Sequence, residues 1–277
     1  MEKQNIKPRV NNGSIGPNRI KNGFIIPALF LILAILSFSP KKDNSHPELP
    51  KPIPGSRVII HTGYAVSYNP SFRLADWVAY ELTAKETVSS VKRNDEFVRD
   101  PILTSSTITP ADYKNSGYDM GHLAPAADIC YSLKTMVESF YLSNVAPQIP
   151  EFNRGIWKKL EELVRQWAND DHAVYVVTGP VLSKGLPVIS RDSIPVPAFF
   201  YKVVAYCTAS GMKGIGFILP NRASREPLLR FAVSIDSVEK LTGIDFFYQM
   251  PSATQQIIES RLNMEAWKWT LTSNGRR

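Results

Sequence analysis

Residues 117–128 read GYDMGHLAPAAD, and residues 153–169 read NRGIWKKLEELVRQWAN. In the second stretch Ile156, Trp157, Leu160, Leu163, Val164 and Trp167 recur at helical spacing and form one apolar stripe. Lys158, Lys159, Glu162 and Arg165 take the other side. The pattern predicts a helix over 153–169 with Asn153 at its start, where a short polar side chain can cap. In the first stretch His122 directly follows Gly121 in a turn-like context. Of the other three histidines, His46 lies among prolines, His61 in a strand-like run and His172 after Asp170-Asp171. Residue type alone leaves His122 open to a structural or a catalytic role.

Around these two stretches the chain reads mainly as strands. Residues 58–68 are rich in Val, Ile and Tyr and stop at Asn69-Pro70. Residues 76–83, DWVAYELT, alternate as a second strand. Residues 85–110 are polar and loop-rich. Residues 173–178 predict a short buried strand ended by Gly179-Pro180, and residues 198–207 and 214–219 a strand pair. Residues 234–241 predict a short helix, capped by Ser237 or Asp236 and ended by Gly243.

The N-terminus has a different character. Residues 1–22 hold Lys3, Lys7, Arg9, Arg19 and Lys21 against Glu2 alone, a basic leader. An uncharged run, GFIIPALFLILAILSF, follows within residues 23–39. It is short for a bilayer span of about 20 residues and long for a signal-peptide core of roughly 7–15. With no A-x-A site after it, an uncleaved signal-anchor is favoured over a cleaved signal peptide. The basic residues ahead of it place the N-terminus in the cytoplasm and the rest outside. Residues 40–55 carry five prolines and read as a linker, so the domain is expected over 56–277.

The 277 residues are 44% hydrophobic and 21% charged, which excludes a disordered tail, a collagen and a disulfide-dense miniprotein. The formal charge of +7 first suggests an acidic partner. Eight basic and three acidic residues lie in 1–55, a net of +5, which leaves only +2 for the domain. Most of the charge is therefore a topology signal. The two cysteines, Cys130 and Cys207, have no CxxC spacing and read as buried free thiols, although an exported domain permits a bridge.

The run DMGHLAPAAD…TMVESFYLSNVAPQIPEFNRGIWKKLE resembles the signature of the DNA/RNA non-specific endonucleases, the ββα-metal nucleases that include endonuclease G. The blocks HTGYAVSYNPSFRLADWVAYELT and SIDSVEKLTGIDFFYQMP resemble further family segments in the family's order. The resemblance implies an α+β fold with a mostly antiparallel central sheet flanked by helices. It implies a metal-dependent endonuclease acting on DNA and RNA, with Mg²⁺ as cofactor and Mn²⁺ as an alternative. It leaves a homodimer open.

Carried over residue by residue, the resemblance makes His122 the general base, since an imidazole can take a proton from attacking water. Asn153 becomes the single protein ligand of the cation, an amide oxygen suited to Mg²⁺. Glu161, eight residues on, is about 12 Å further along a helix and suits a water-mediated or arginine-orienting role. Asn144 matches a polar residue beside the scissile phosphate. Arg93, in Arg93-Asn94-Asp95-Glu96-Phe97, matches an arginine that stabilises transition-state charge. Arg93 and Asn144 are thus the expected substrate contacts.

One residue departs from the pattern. The family reads Asp-Arg-Gly-His where this chain has Met120, and methionine makes no bidentate phosphate contact. Either another cation substitutes, or activity or substrate preference is altered. The competing expectation is a catalytically attenuated, nucleic-acid-binding relative.

Overall fold

The computed structural model describes residues 46–88, 91–104, 108–189, 194–208 and 211–270. Its centre is one seven-stranded sheet. In chain order the strands are β1 (Arg57–Ile60), β2 (Ala65–Asn69), β3 (Leu74–Thr83), β4 (Asp119–His122), β5 (Val145–Gln148), β6 (Ala173–Pro180), β7 (Val188–Ile189), β8 (Ile194–Pro195), β9 (Phe199–Thr208), β10 (Gly211–Pro220) and β11 (Ala232–Val233). The large sheet runs β1-β2-β3-β6-β9-β10-β11, and every neighbouring pair is antiparallel. β4 and β5 form a separate two-stranded ribbon, as do β7 and β8. The helices are α1 (Leu133–Ser139), α2 (Lys158–Asp171), α3 (Ile235–Thr242) and α4 (Ser252–Glu259).

The sheet is buried on both faces because side chains alternate along its strands. Val78, Tyr80, Leu82, Val176 and Val204 join the core cluster that also holds Trp157, Leu160, Leu163, Val164 and Trp167 of the α2 region. Trp77, Ala79, Val177, Tyr201 and Val203 join the opposite cluster, with Ile235 and Val238 of α3 and Ile258 of α4. Helices therefore cover the sheet on two sides, an α+β layered fold. The C-terminal segment locks α2 in place: Trp167 Nε1 donates to the Lys268 carbonyl at 2.7 Å, and the Trp267 ring lies 4.4 Å from Trp167.

Several local expectations change. Residues 58–68 are a hairpin rather than one strand, with the His61 N–H bonded to the Tyr64 carbonyl at 2.8 Å across the turn. β6 continues through Gly179-Pro180, because a proline can end a strand where no further ladder bond is needed. The cap of α3 is Ser234, whose side chain accepts from the Ser237 N–H, so Ser237 is the capped residue and not the cap.

The apolar run and basic leader lie outside the described residues. Among the described residues no helix is long and apolar enough to cross a membrane. Part of the proline-rich segment packs on the domain. Lys51 N donates to the Asp245 carbonyl at 2.9 Å, and Leu49 and Ile53 lie against the α3–α4 side of the core. Cys207 is a free thiol, and Cys130 is buried.

Candidate active site

The ribbon of β4 and β5 carries the Asp119-Met120-Gly121-His122 motif. Its register pairs Asp119 with Gln148, Met120 with Pro147, Gly121 with Ala146 and His122 with Val145. Only glycine fits at 121: a Cβ there would stand 2.2 Å from the Gln148 side-chain Cδ. Gln148 is fully buried, and neither its amide nitrogen nor its oxygen has a partner among the described residues. A buried amide without a partner costs free energy.

His122 is half-buried between two aromatic rings. Phe140 meets it edge-on at 4.8 Å between centroids, and Phe97 lies at 5.1 Å. Its Nε2 is enclosed with no hydrogen bond among the described residues. Burial, and then the nearby Arg93 cation, push the imidazole pKa down to about 3, against a smaller opposing pull from Asp95. The ring is therefore neutral at physiological pH and able to accept a proton. The Arg93 guanidinium lies 5.1 Å over the Phe140 ring and 2.5 Å from Asp95 Oδ1. The structure thus brings Arg93 to the same aromatic wall as His122.

Asn153 is not a helix cap. The helical path begins earlier, with Asn153 N bonded to the Ile149 carbonyl at 2.9 Å. A π-helical turn, Phe152–Trp157, precedes α2, and Gly155 breaks it at φ −106°, ψ −108°. Such turns widen the helix and re-aim a side chain. Asn153 Nδ2 donates to Asp119 Oδ2 at 2.9 Å, so its Oδ1 faces elsewhere. A carboxylate accepts only, which fixes the sense of the amide. Arg154 closes on the same carboxylate as a fork, with Nε to Oδ2 at 2.8 Å and a terminal nitrogen to Oδ1 at 2.6 Å. Asp119 thus ties the strand that bears His122 to the turn that bears Asn153.

Asn144, the expected substrate contact, is engaged with the backbone beside His122. It is fully buried; its Oδ1 accepts from Ala124 N at 2.9 Å, and its Nδ2 donates to the Ala124 and Ser139 carbonyls at 2.8 and 2.9 Å. The amide is spent on backbone. Its geometry supports a positioning role, holding the segment just after His122.

Glu161 enters a buried charge network rather than a solvated helix face. On the same helix Arg165 bonds Asp128 Oδ1 at 2.6 Å, and the Tyr80 hydroxyl donates to Asp128 Oδ2 at 2.7 Å. From β9 the fully buried Lys202 projects to this side, its Nζ 4.8 Å over the Trp157 ring and unpartnered among the described residues. Burial raises the Glu161 pKa, while Lys202 and then Arg165 oppose the shift. Burial lowers that of Lys202, and Glu161 opposes it.

The family model for DNA/RNA non-specific endonucleases matches residues 43–253. The chain belongs to the DNA/RNA non-specific endonuclease family. It is a nuclease, a hydrolase acting on nucleic acids. A nuclease of Nostoc sp. is 32% identical over 220 residues, covering 76% of this chain and 80% of that protein. The mitochondrial endonuclease G of Homo sapiens is 36% identical over 201 residues, covering 66% and 67%. A chain from a crystal structure of the EndoG/EndoGI complex aligns at TM-score 0.65 and 32% identity, over 74% of this chain and 91% of that one.

Within this endonuclease fold the sequence pointed to His122, Asn153, Glu161, Arg93 and Asn144, and the structure places Asp119, Arg154, Gln148, Arg165 and Lys202 around them. Asp119 stood inside the quoted motif but has meaning only through its contact with Asn153, 34 residues away. Lys202 lies in a plain strand pattern, and nothing local in AFFYKVVAYC signals a buried cation.

Proposed function

We propose that this chain is a Mg²⁺-dependent, sugar-non-specific endonuclease, with His122 as general base and Asn153 as the protein ligand of the cation. The observation that carries the reading is the Asp119 contact, which leaves the Asn153 Oδ1 free of hydrogen bonds among the described residues. A single neutral oxygen donor suits Mg²⁺, which keeps most of its waters. When bound, the cation supplies charge stabilisation on the phosphate and the leaving 3′-oxygen.

The chain's own residues do the rest. His122 takes a proton from the water that attacks phosphorus, and its neutral state over the physiological range keeps it ready. Phe97 and Phe140 hold the ring. Arg93 supplies positive charge to the phosphate oxygens as charge builds there. Attack at phosphorus needs no 2′-hydroxyl, so both DNA and RNA are substrates, and backbone contacts impose no sequence preference.

Met120 is half-buried against the main core and contributes no charge. We assign its missing cation to Arg154, which the fork to Asp119 holds beside Asn153. The second reading, an attenuated relative that binds without turnover, rests on Met120 alone.

The basic leader and the apolar run support export, with residues 23–39 anchoring the domain outside the cytoplasm. Protease treatment of intact cells tests this: loss of the domain signal supports an outside location, and protection contradicts it. Incubation of the full chain with plasmid DNA and with RNA, in MgCl₂ and in EDTA, tests the activity. Absence of cleavage with either Mg²⁺ or Mn²⁺ would sink it.

A further inference from the structure

On the sheet face opposite α2, helices α3 and α4 lie across β10. The approach is close because β10 carries glycine there: a Cβ at Gly214 would stand 2.1 Å from the Ile258 carbonyl oxygen. This docking brings Glu259, the last residue of α4, to Asp236 and Glu239 of α3. One carboxylate oxygen from each lies within 4.8 Å of the other two.

Three carboxylates at this spacing repel one another, and the repulsion falls hardest on Glu259. That residue is only 7% exposed, and its Oε1 is enclosed with no hydrogen-bond partner among the described residues. Burial and the charges of Glu239, Asp236 and Asp245 push its pKa up to about 8. Asp245 itself pairs with Lys51 at 3.5 Å. The C-terminal end of α4 adds the negative pole of its helix dipole at this point. An enclosed carboxylate oxygen without a partner, on a residue whose carboxylate stands beside two others, is a geometry that a bound cation would satisfy.

We propose that Asp236, Glu239 and Glu259 form a second divalent-cation site, of the Ca²⁺ class, remote from the Asn153 site. The donors are all oxygens, which selects a hard cation over zinc or copper. Glu239 Oε1 accepts from the Phe246 N–H at 2.8 Å and is partly spent, leaving Oε2 for the ion. Asp236 is exposed and free to rotate inward. Such an irregular set suits Ca²⁺, which takes mixed carboxylate and water ligands, better than Mg²⁺, which demands near-ideal octahedral geometry. The bound ion would tie α3 to α4 and stiffen the face that supports the sheet from behind.

The experiment is calorimetric titration of CaCl₂ into the full chain carrying Asn153→Ala, so that the catalytic-face site is silenced. One Ca²⁺ per chain is expected, with a Ca²⁺-dependent rise in Tm. Adding Glu259→Gln is expected to weaken binding by at least ~10-fold and to abolish that rise. The metal-free Tm of this variant is expected to equal or exceed the parent's, because a repelled carboxylate has been removed. If Glu259→Gln fails to fold, Asp236→Asn, at an exposed position, is read in its place and is expected to weaken binding likewise. No binding at millimolar CaCl₂ in the Asn153→Ala chain overturns the proposal, as does undiminished binding in the carboxylate variants. Tighter binding of MgCl₂ than of CaCl₂ overturns the cation class.

Discussion

Asp119 accepts a hydrogen bond from Asn153 Nδ2 at 2.9 Å and thereby turns the Asn153 Oδ1 away from itself. This contact joins two segments far apart in sequence. His122 is three residues from Asp119, no more than about 10 Å of extended chain, so the candidate base and candidate ligand share one fixed frame.

The contact makes Asp119→Asn informative. An asparagine can present either end of its amide to Asn153, and it gives up the charge that holds Arg154. The Mg²⁺ concentration for half-maximal cleavage is expected to rise by about 10–100-fold, the usual cost of losing a residue that orients a ligand. The check is a metal titration of the cleavage rate. An unchanged midpoint would show that Asn153 does not depend on Asp119.

Arg154 and Met120 are testable as a pair. Arg154→Ala is expected to lower kcat/KM by about 10²-fold or more, as for the loss of one transition-state donor. If Arg154 stands in for the arginine that Met120 replaces, Met120→Arg restores much of that loss in the double variant. Met120→Arg that rescues nothing would argue against the substitution. A large gain from Met120→Arg in the parent chain would favour the attenuated relative.

The charge network behind α2 gives a pH prediction. The Lys202 cation opposes the upward shift that burial imposes on Glu161. Lys202→Met removes that opposition, so Glu161 takes up its proton at a higher pH than before. If the Glu161 carboxylate orients water or Arg165 at the site, the acid limb of kcat/KM moves to higher pH. Burial and Arg93 hold the His122 imidazole down to about 3, so its own limb is expected below the neutral range. A pH–rate profile of the two proteins decides, and an unmoved limb separates Glu161 from the reaction.

Gly121 tests the ribbon itself. Gly121→Ala drives a methyl group into Gln148, which is fully buried and has no solvent to swing into. The expected cost is about 1–3 kcal/mol, as for other overpacked sites. Urea unfolding measures it, and an unaltered midpoint would mean that β4 and β5 part more easily than their register suggests.

Much of the fold is legible in the sequence. The stripe from Ile156 to Trp167 marked α2, and the alternation in residues 76–83 marked β3, because burial against one partner imposes a period on the sequence. Helix α4 had no such stripe, since only Ile258 and Glu259 of its eight residues are buried. His122 and Asn153 were found through a resemblance, not through chemistry: a lone histidine and a lone asparagine form no cluster that spacing can expose. Whether the Asn144 amide is spent on backbone or free to bind is not legible in sequence, and the structure shows it bonded to the backbone of Ala124 and Ser139. Lys202 influences Glu161 electrostatically across 41 residues, and Asp119 bonds Asn153 across 34, neither of which a local pattern encodes.

The most direct test of the account is Mg²⁺-dependent cleavage of plasmid DNA by the full chain, compared with His122→Ala at equal folded concentration and with EDTA as control. The account predicts complete loss in EDTA and a fall of about 10²–10⁴-fold in the variant, the range for a removed general base. Cleavage by His122→Ala at the parent rate would contradict it.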